Sequence, residues 1–146
     1  MKLGKKSFVV LTTSFAGLQM AKGLVRTGHS LIAIGIGASS SDMPIGSVSR
    51  EDASRILSPN ISIINVSLEE PEAVTKFFEK YTFDFALISW PKLLGQSALQ
   101  AAHNHVMGSH PTCLPYGRGR HPLHWLRVLG ISCSSVTAFW VDLGID

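Results

Sequence analysis

Short apolar runs alternate along this chain with longer stretches whose apolar residues recur every three or four positions. Residues 7–11 form the first run, short, apolar after Ser7 and β-branched at Val9 and Val10, the mark of a strand buried on both faces. From Phe15 the spacing turns helical, through Leu18, Ala21, Leu24 and Val25, and ends at Gly28, a residue suited to a helix C-cap. Residues 31–36 are a second buried strand, which completes a βαβ unit. The serine- and turn-rich stretch 38–59 holds at most a short helix around 49–57, and 61–66 is a third strand. Ser67 is a suitable N-cap, with Glu69, Glu70 and Glu72 well placed in the first turns of a helix reaching Tyr81. Residues 83–89 make a fourth strand, broken by Trp90-Pro91. A helix over 96–103, a short strand over 106–109, a helix over 122–129 and a final strand over 134–141 follow. The third of those begins with proline in its first turn and closes at Gly130.

Alternating strands and helices predict a single-domain α/β fold: a doubly wound, mostly parallel, Rossmann-like sheet flanked by helices. Such sheets take ligands outside the carboxyl ends of their strands. The loops predicted there are 12–15, 35–41, 90–94 and 110–121, and the unusual residues of the chain fall in them. No internal repeat, linker or low-complexity tract interrupts the pattern.

Composition narrows the function classes. With 146 residues, 45% of them hydrophobic, the chain can bury one core. No apolar run reaches the length of a membrane span, so no membrane role is expected. The basic start before residues 8–11 resembles a signal peptide, but the run stops at Thr12-Thr13-Ser14 without a small-x-small cleavage site. A first strand with a basic leader is the reading adopted. Two cysteines without paired spacing suit a reducing cytoplasm. The net charge of +3 is spread thinly, unlike the dense, aromatic-interleaved stripe of a nucleic-acid binder. The late arginines, Arg118, Arg120 and Arg127, suit a small anionic ligand.

Several residues could carry chemistry. Gly35-x-Gly37-x-x-Ser40 follows a strand, so a phosphate cradle is conceivable, although the last glycine and a clear following helix are missing. His103, His105, His110 and Cys113 could be read as zinc ligands, but their spacing matches no zinc pattern and no metal is expected. His110 stands apart: it follows a buried strand and precedes Pro111, so its backbone is held extended at the ligand edge. It reads either as a half-buried histidine bonded to a carbonyl or as an electrophilic or acid–base group. Asp146, placed after the last strand, is either its partner or a solvated terminus. Arg118 and Arg120 flank Gly119 in a loop that is either solvated or an anion clamp. Trp90, Trp125 and Trp140 read as core residues, with Trp90 the exception to follow, because Trp-Pro at a strand end can wall a flat heterocycle.

The stretch from His110 to Trp125, HPTCLPYGRGRHPLHW, resembles the signature loop of the folate-dependent formyltransferases. In that family a histidine is followed by Leu-Pro, a basic Arg-Gly-Arg loop, Pro and Trp, then a Val-Thr strand that ends at an aspartate. Here His110, Leu114-Pro115, Arg118-Gly119-Arg120, Pro122, Trp125, Val136-Thr137 and Gly144-Ile145-Asp146 fall on those positions. The segment Ser89-Trp90-Pro91-Lys92-Leu93-Leu94 resembles the family's folate-binding loop, and Gly28-His29 its N-terminal unit. The form of the arginine loop is most similar to the sugar N-formyltransferases. The likeness covers 1–146, strongly after residue 84, as the N-terminal, 10-formyltetrahydrofolate-binding domain, incomplete at its C-terminus.

The resemblance implies transfer of a formyl group from N10-formyltetrahydrofolate to the amine of a small molecule, such as an amino-sugar nucleotide. It implies His110 and Asp146 as catalytic residues. His110 would stabilise the oxyanion of the tetrahedral intermediate or supply a proton, and Asp146 would orient it and help the amine lose its proton. Trp90, Pro91, Lys92, Leu93, Leu94 and Val141 would hold the folate, and Arg118 and Arg120 the acceptor. Two departures stand out: Gly108 occupies the position of the family's asparagine, and the chain stops at the aspartate. Loss of one oxyanion donor costs on the order of 3 kcal/mol of barrier, roughly a hundredfold or more in rate. Three functions are therefore in view: a formyltransferase that binds folate, with or without turnover; a non-catalytic remnant; and a nucleotide-binding module using residues 35–41. Truncation would also leave apolar surface uncovered and favour self-association.

Overall fold

A computed structural model describes residues 4–41, 47–119 and 121–144. Its single sheet has the strand order β3-β2-β1-β4-β5-β6. The strands are β1 (Ser7–Thr12), β2 (Ser30–Ala38), β3 (Ser62–Ser67), β4 (Phe85–Ser89), β5 (Val106–His110) and β6 (Thr137–Trp140). The helices are α1 (Phe15–Arg26), α2 (Arg50–Ile56), α3 (Ala73–Glu79), α4 (Gln96–Ala101) and α5 (Pro122–Val128). The first five strands pair in parallel, and β6 returns antiparallel along β5.

Successive residues of β1 feed opposite faces of the sheet, as the two-residue period of a strand requires. Val9 and Leu11 join Phe77, Phe78, Leu99 and Val106 beneath α3 and α4. Val10 joins Leu18, Ile34, Ile36 and Leu57 beneath α1 and α2. This double burial explains why β1 carries no polar residue between Ser7 and Thr12. Ser14 caps α1 and Ser49 opens α2 through a reciprocal capping box with Asp52. Thr27 closes α1, and Gly28 follows in the left-handed region at φ 85°.

The helix expected from Ser67 begins later, at Ala73. Pro71 pushes Glu70 out of helical geometry, so 67–72 turns instead. The Ser67 hydroxyl accepts from the amides of Glu69 and Glu70 at 3.2 and 3.1 Å. The helix expected over 96–103 ends at Ala101, because His103 and Asn104 adopt φ of 51° and 58°. The last strand is four residues long, and 134–136 lies outside it, fastened by the Ser134 hydroxyl to the Pro111 carbonyl at 3.0 Å. Trp125 and Trp140, expected in the core, are 59% and 60% exposed. Their positions explain this: α5 buries none of its residues, and β6 is the edge of the sheet.

Candidate functional site

The strand order reverses direction between β1 and β4, and a crevice opens there at the carboxyl ends of the strands. Thr13, just past β1, donates its amide to the Ser89 carbonyl at 3.2 Å, and its own carbonyl accepts from Val48 at 3.1 Å. Beside this knot lies a cavity of about 790 Å³, within the range of roughly 300–1,000 Å³ that suits a small-molecule ligand.

One wall is the 90–94 segment leaving β4. Trp90 sits on Gly37 of β2, where a Cβ would stand 2.9 and 3.1 Å from two carbons of its six-membered ring. Gly35 is likewise packed, against Leu11, Val66 and Phe77. These glycines make room for side chains packed on β2, which runs on to Ala38. Gly35 and Gly37 thus have a packing role inside β2. Lys92 at the rim donates to the Leu68 carbonyl, which ties this wall to the turn after β3. In the neighbouring loop Glu69 accepts from Ser39 and the Ser40 amide, and these bonds hold its carboxyl below the usual range.

The opposite wall is built on β5 and β6. His110, 7% exposed, ends β5. Its Nε2 lies 2.8 Å from the Gly117 carbonyl and donates to it, since a carbonyl only accepts. The Thr112 hydroxyl donates to the Tyr116 and Gly117 carbonyls at 2.8 and 3.2 Å, which folds the 111–117 loop over the imidazole. Thr137 fastens that loop to β6: its hydroxyl donates to the Thr112 carbonyl at 2.7 Å and accepts from the Leu114 amide at 3.1 Å. His110 is thus buried and carbonyl-bonded, and it also lines the cavity.

Trp90, Pro91, Lys92, Leu93, Leu94, His110 and Val141 all line this one cavity. Arg118 is exposed on the loop and is not among the lining residues, whereas Gly119 and His121 are. Arg120 and Asp146 lie outside the described residues. The segment after β6 approaches the cavity by an indirect path. Because β6 is antiparallel, it runs back along β5, with the Val141 amide on the Val106 carbonyl at 2.9 Å. Asp142 and Gly144 nevertheless flank the cavity.

Phe139 and Asp142, which line the cavity, escape the sequence reading. Only Phe139 had a usable signal, its alternation in the last strand, and that required the register against β5 to interpret. Among the described residues no three His, Cys, Asp or Glu side chains gather as metal ligands would. His105 is bonded through Nδ1 to the Asp84 carbonyl at 3.2 Å, and Cys113 is exposed and free.

Fold and cavity together define a Rossmann-type α/β domain with a candidate ligand cavity at the switch point of its sheet. No family model matches the chain. It is similar to the methionyl-tRNA formyltransferase of Desulforamulus reducens, 25% identical over 148 residues, covering 92% of this chain and 43% of the relative. The methionyl-tRNA formyltransferase of Syntrophus aciditrophicus is 23% identical, with 99% of this chain and 47% of the relative covered. The chain thus spans less than half the length of these curated relatives. Among solved structures, glycinamide ribonucleotide transformylase 1 from Symbiobacterium toebii superposes with a TM-score of 0.75 at 17% identity, over 97% of this chain and 68% of that one. A formyltetrahydrofolate deformylase from Pseudomonas syringae does so with a TM-score of 0.74 at 16% identity, over 98% and 48%.

Proposed function

We propose that this chain binds a formyl-tetrahydrofolate and passes its formyl group to the amine of a small molecule, in the cytoplasm. One observation carries the reading: a single cavity at the switch point joins the Trp90-Pro91 wall to the buried His110. Its apolar face suits a flat heterocycle, and the bonded imidazole stands where a proton or an oxyanion needs a partner. The curated relatives, named as formyltransferases, point the same way.

When bound, the donor supplies an activated carbonyl. Trp90 and Leu94 would cover its ring, and Val141 would close the far side. His110 would hold or release a proton at Nε2, which first requires the Gly117 carbonyl to give up its bond. Asp146 would orient the imidazole, and Arg118 with Arg120 would meet an anionic acceptor. An amino-sugar nucleotide is the first acceptor to try, beside glycinamide ribonucleotide and methionyl-tRNA. A second reading, binding without turnover, is favoured by the lack of any side chain at Gly108.

Calorimetric titration with 5-formyltetrahydrofolate, a stable analogue of the donor, tests the reading. Saturable binding that weakens in Trp90→Ala is expected. A folded chain that takes up no heat-detectable ligand would overturn it.

A further inference from the structure

Gly108 and Phe139 are directly opposed across the antiparallel pair β5–β6, so their side-chain positions share one face of the sheet. Gly108 and His110 are two residues apart on β5 and share that face too. All three line the cavity. A Cβ at position 108 would stand 2.6 to 3.0 Å from three carbons of the Phe139 ring. No side chain fits there while the ring stays. The place beside His110 that any other residue of β5 would occupy is filled instead from β6, by a group without a strong hydrogen-bond donor. The arrangement is mutually exclusive: a polar side chain at 108, or the ring of Phe139.

We propose that Phe139 sets the site for holding its ligand rather than for turning it over. The inference rests on the folate-binding part of the reading above, takes the side of binding without turnover, and goes further in naming the residue that separates affinity from rate. The ring adds aromatic surface to the pocket and so favours binding. At the same time it takes the space in which a second donor could meet charge developing on the formyl oxygen next to His110. A preorganised donor of that kind is worth on the order of 10²–10³ in rate. Affinity and rate should consequently move in opposite directions when the ring is exchanged for an amide.

The test compares the native chain with Phe139→Ala, Gly108→Asn and the double variant Gly108→Asn/Phe139→Ala. Loss of the formyl group to water is the readout, which requires no knowledge of the acceptor. In that reaction the N10–carbon bond breaks, hydroxide from water joins the formyl carbon, and N10 takes up the proton, yielding formate and tetrahydrofolate. Binding of 5-formyltetrahydrofolate is measured beside it. Phe139→Ala is expected to bind several-fold more weakly without gaining rate. Gly108→Asn alone is expected to melt at lower temperature than the native chain, and the double variant to recover part of that loss. The double variant should bind more weakly than native yet release formate at least about thirtyfold faster, a conservative share of the donor's worth.

A folded double variant with the native rate would overturn the proposal. So would Gly108→Asn alone proving as stable and as fast as the double. Gly108→Ser/Phe139→Val, a smaller exchange, stands in if the first double does not fold. Failure of both to fold would show that the pair cannot be exchanged, and would equally sink the idea. Absence of 5-formyltetrahydrofolate binding by the native chain is a separate result and refutes the folate reading instead.

Discussion

Substituting Gly37 by alanine asks whether Trp90 is a placed wall or a loosely seated ring. The added methyl carbon would stand 2.4 Å from Thr13 Cγ2 and 2.9 Å from Trp90 Cζ3. Carbon atoms pack comfortably at about 3.5–4.0 Å, so the shortfalls are roughly 1 Å and 0.6 Å. Thr13 has little freedom, because its amide and carbonyl are both bonded to neighbouring segments. Its side chain can only rotate, and the indole, which borders open space, must take up the rest by moving into the cavity. Overpacking of this size typically costs about 1–3 kcal/mol of stability. A displaced indole would forfeit an aromatic contact worth about 0.5–1.5 kcal/mol, which is roughly a two- to tenfold loss of affinity for a stacked ligand. Urea melts and titration with 5-formyltetrahydrofolate read the two effects separately. Gly23→Ala is the control: it lies inside α1, a Cβ there meets nothing within 4 Å, and the change should stabilise by about 0.5–1 kcal/mol. Should Gly37→Ala match the native chain in both stability and affinity, Trp90 is not held by Gly37 and the packing reading fails.

Three further outcomes are expected. Asp84 accepts from the Ser7 amide and hydroxyl at 2.7 and 2.8 Å, and these bonds, with Lys6 beyond them, hold its carboxyl below the usual range. A depressed carboxylate stabilises the fold above its unfolded pKa and loses that contribution as pH falls through the lowered value. Urea midpoints of the native chain should therefore drop below about pH 4, and Asp84→Asn should show a shallower drop there. Ser49→Ala removes one half of the α2 capping box and should cost about 1 kcal/mol by urea melt, with Gly in its place costing less. Residues 131–141 contain no charge, and β6 is an edge strand with none of the lysines or prolines that blunt such edges. The chain is expected to associate with its own copy at high concentration in sedimentation, and Ala138→Lys, at an exposed edge position, to shift it toward monomer. A native chain that stays monomeric would refute this.

The βαβ core was legible because each strand there is buried on both faces and leaves a continuous apolar run. Gly28, past the end of α1, marks a helix end through chemistry that acts within a few residues. The late start of α3 was readable in principle, since Pro71 forbids what the glutamates favour, but propensity and proline conflict within one turn. What lay out of reach depends on partners distant in sequence. Nothing near Gly37 announces Trp90, and nothing near Gly108 announces Phe139, because a glycine's role is set by what approaches it. The direction of β6 was hidden for the same reason: four residues cannot encode whether they run with or against their neighbour. Candidate site residues could be grouped from the loops at strand ends, yet the Gly117 carbonyl that receives His110 needed the loop's own fold.

The switch point also sets when this protein becomes able to bind anything. Its cavity borrows Thr13, Trp90, His110 and Phe139 from segments spread over most of the chain, and Phe8 of β1 must pair with Phe85 of β4 before two of those walls face each other. Parallel pairing across such a separation is slow to find, whereas β1, α1 and β2 close locally. During synthesis the early βαβ unit leaves the ribosome well before β6 exists. A ligand that recognises only the finished sheet cannot guide these early steps, but it opposes every opening afterwards. For a folate-binding chain, the cellular level of the one-carbon donor would then enter directly into the protein's own lifetime.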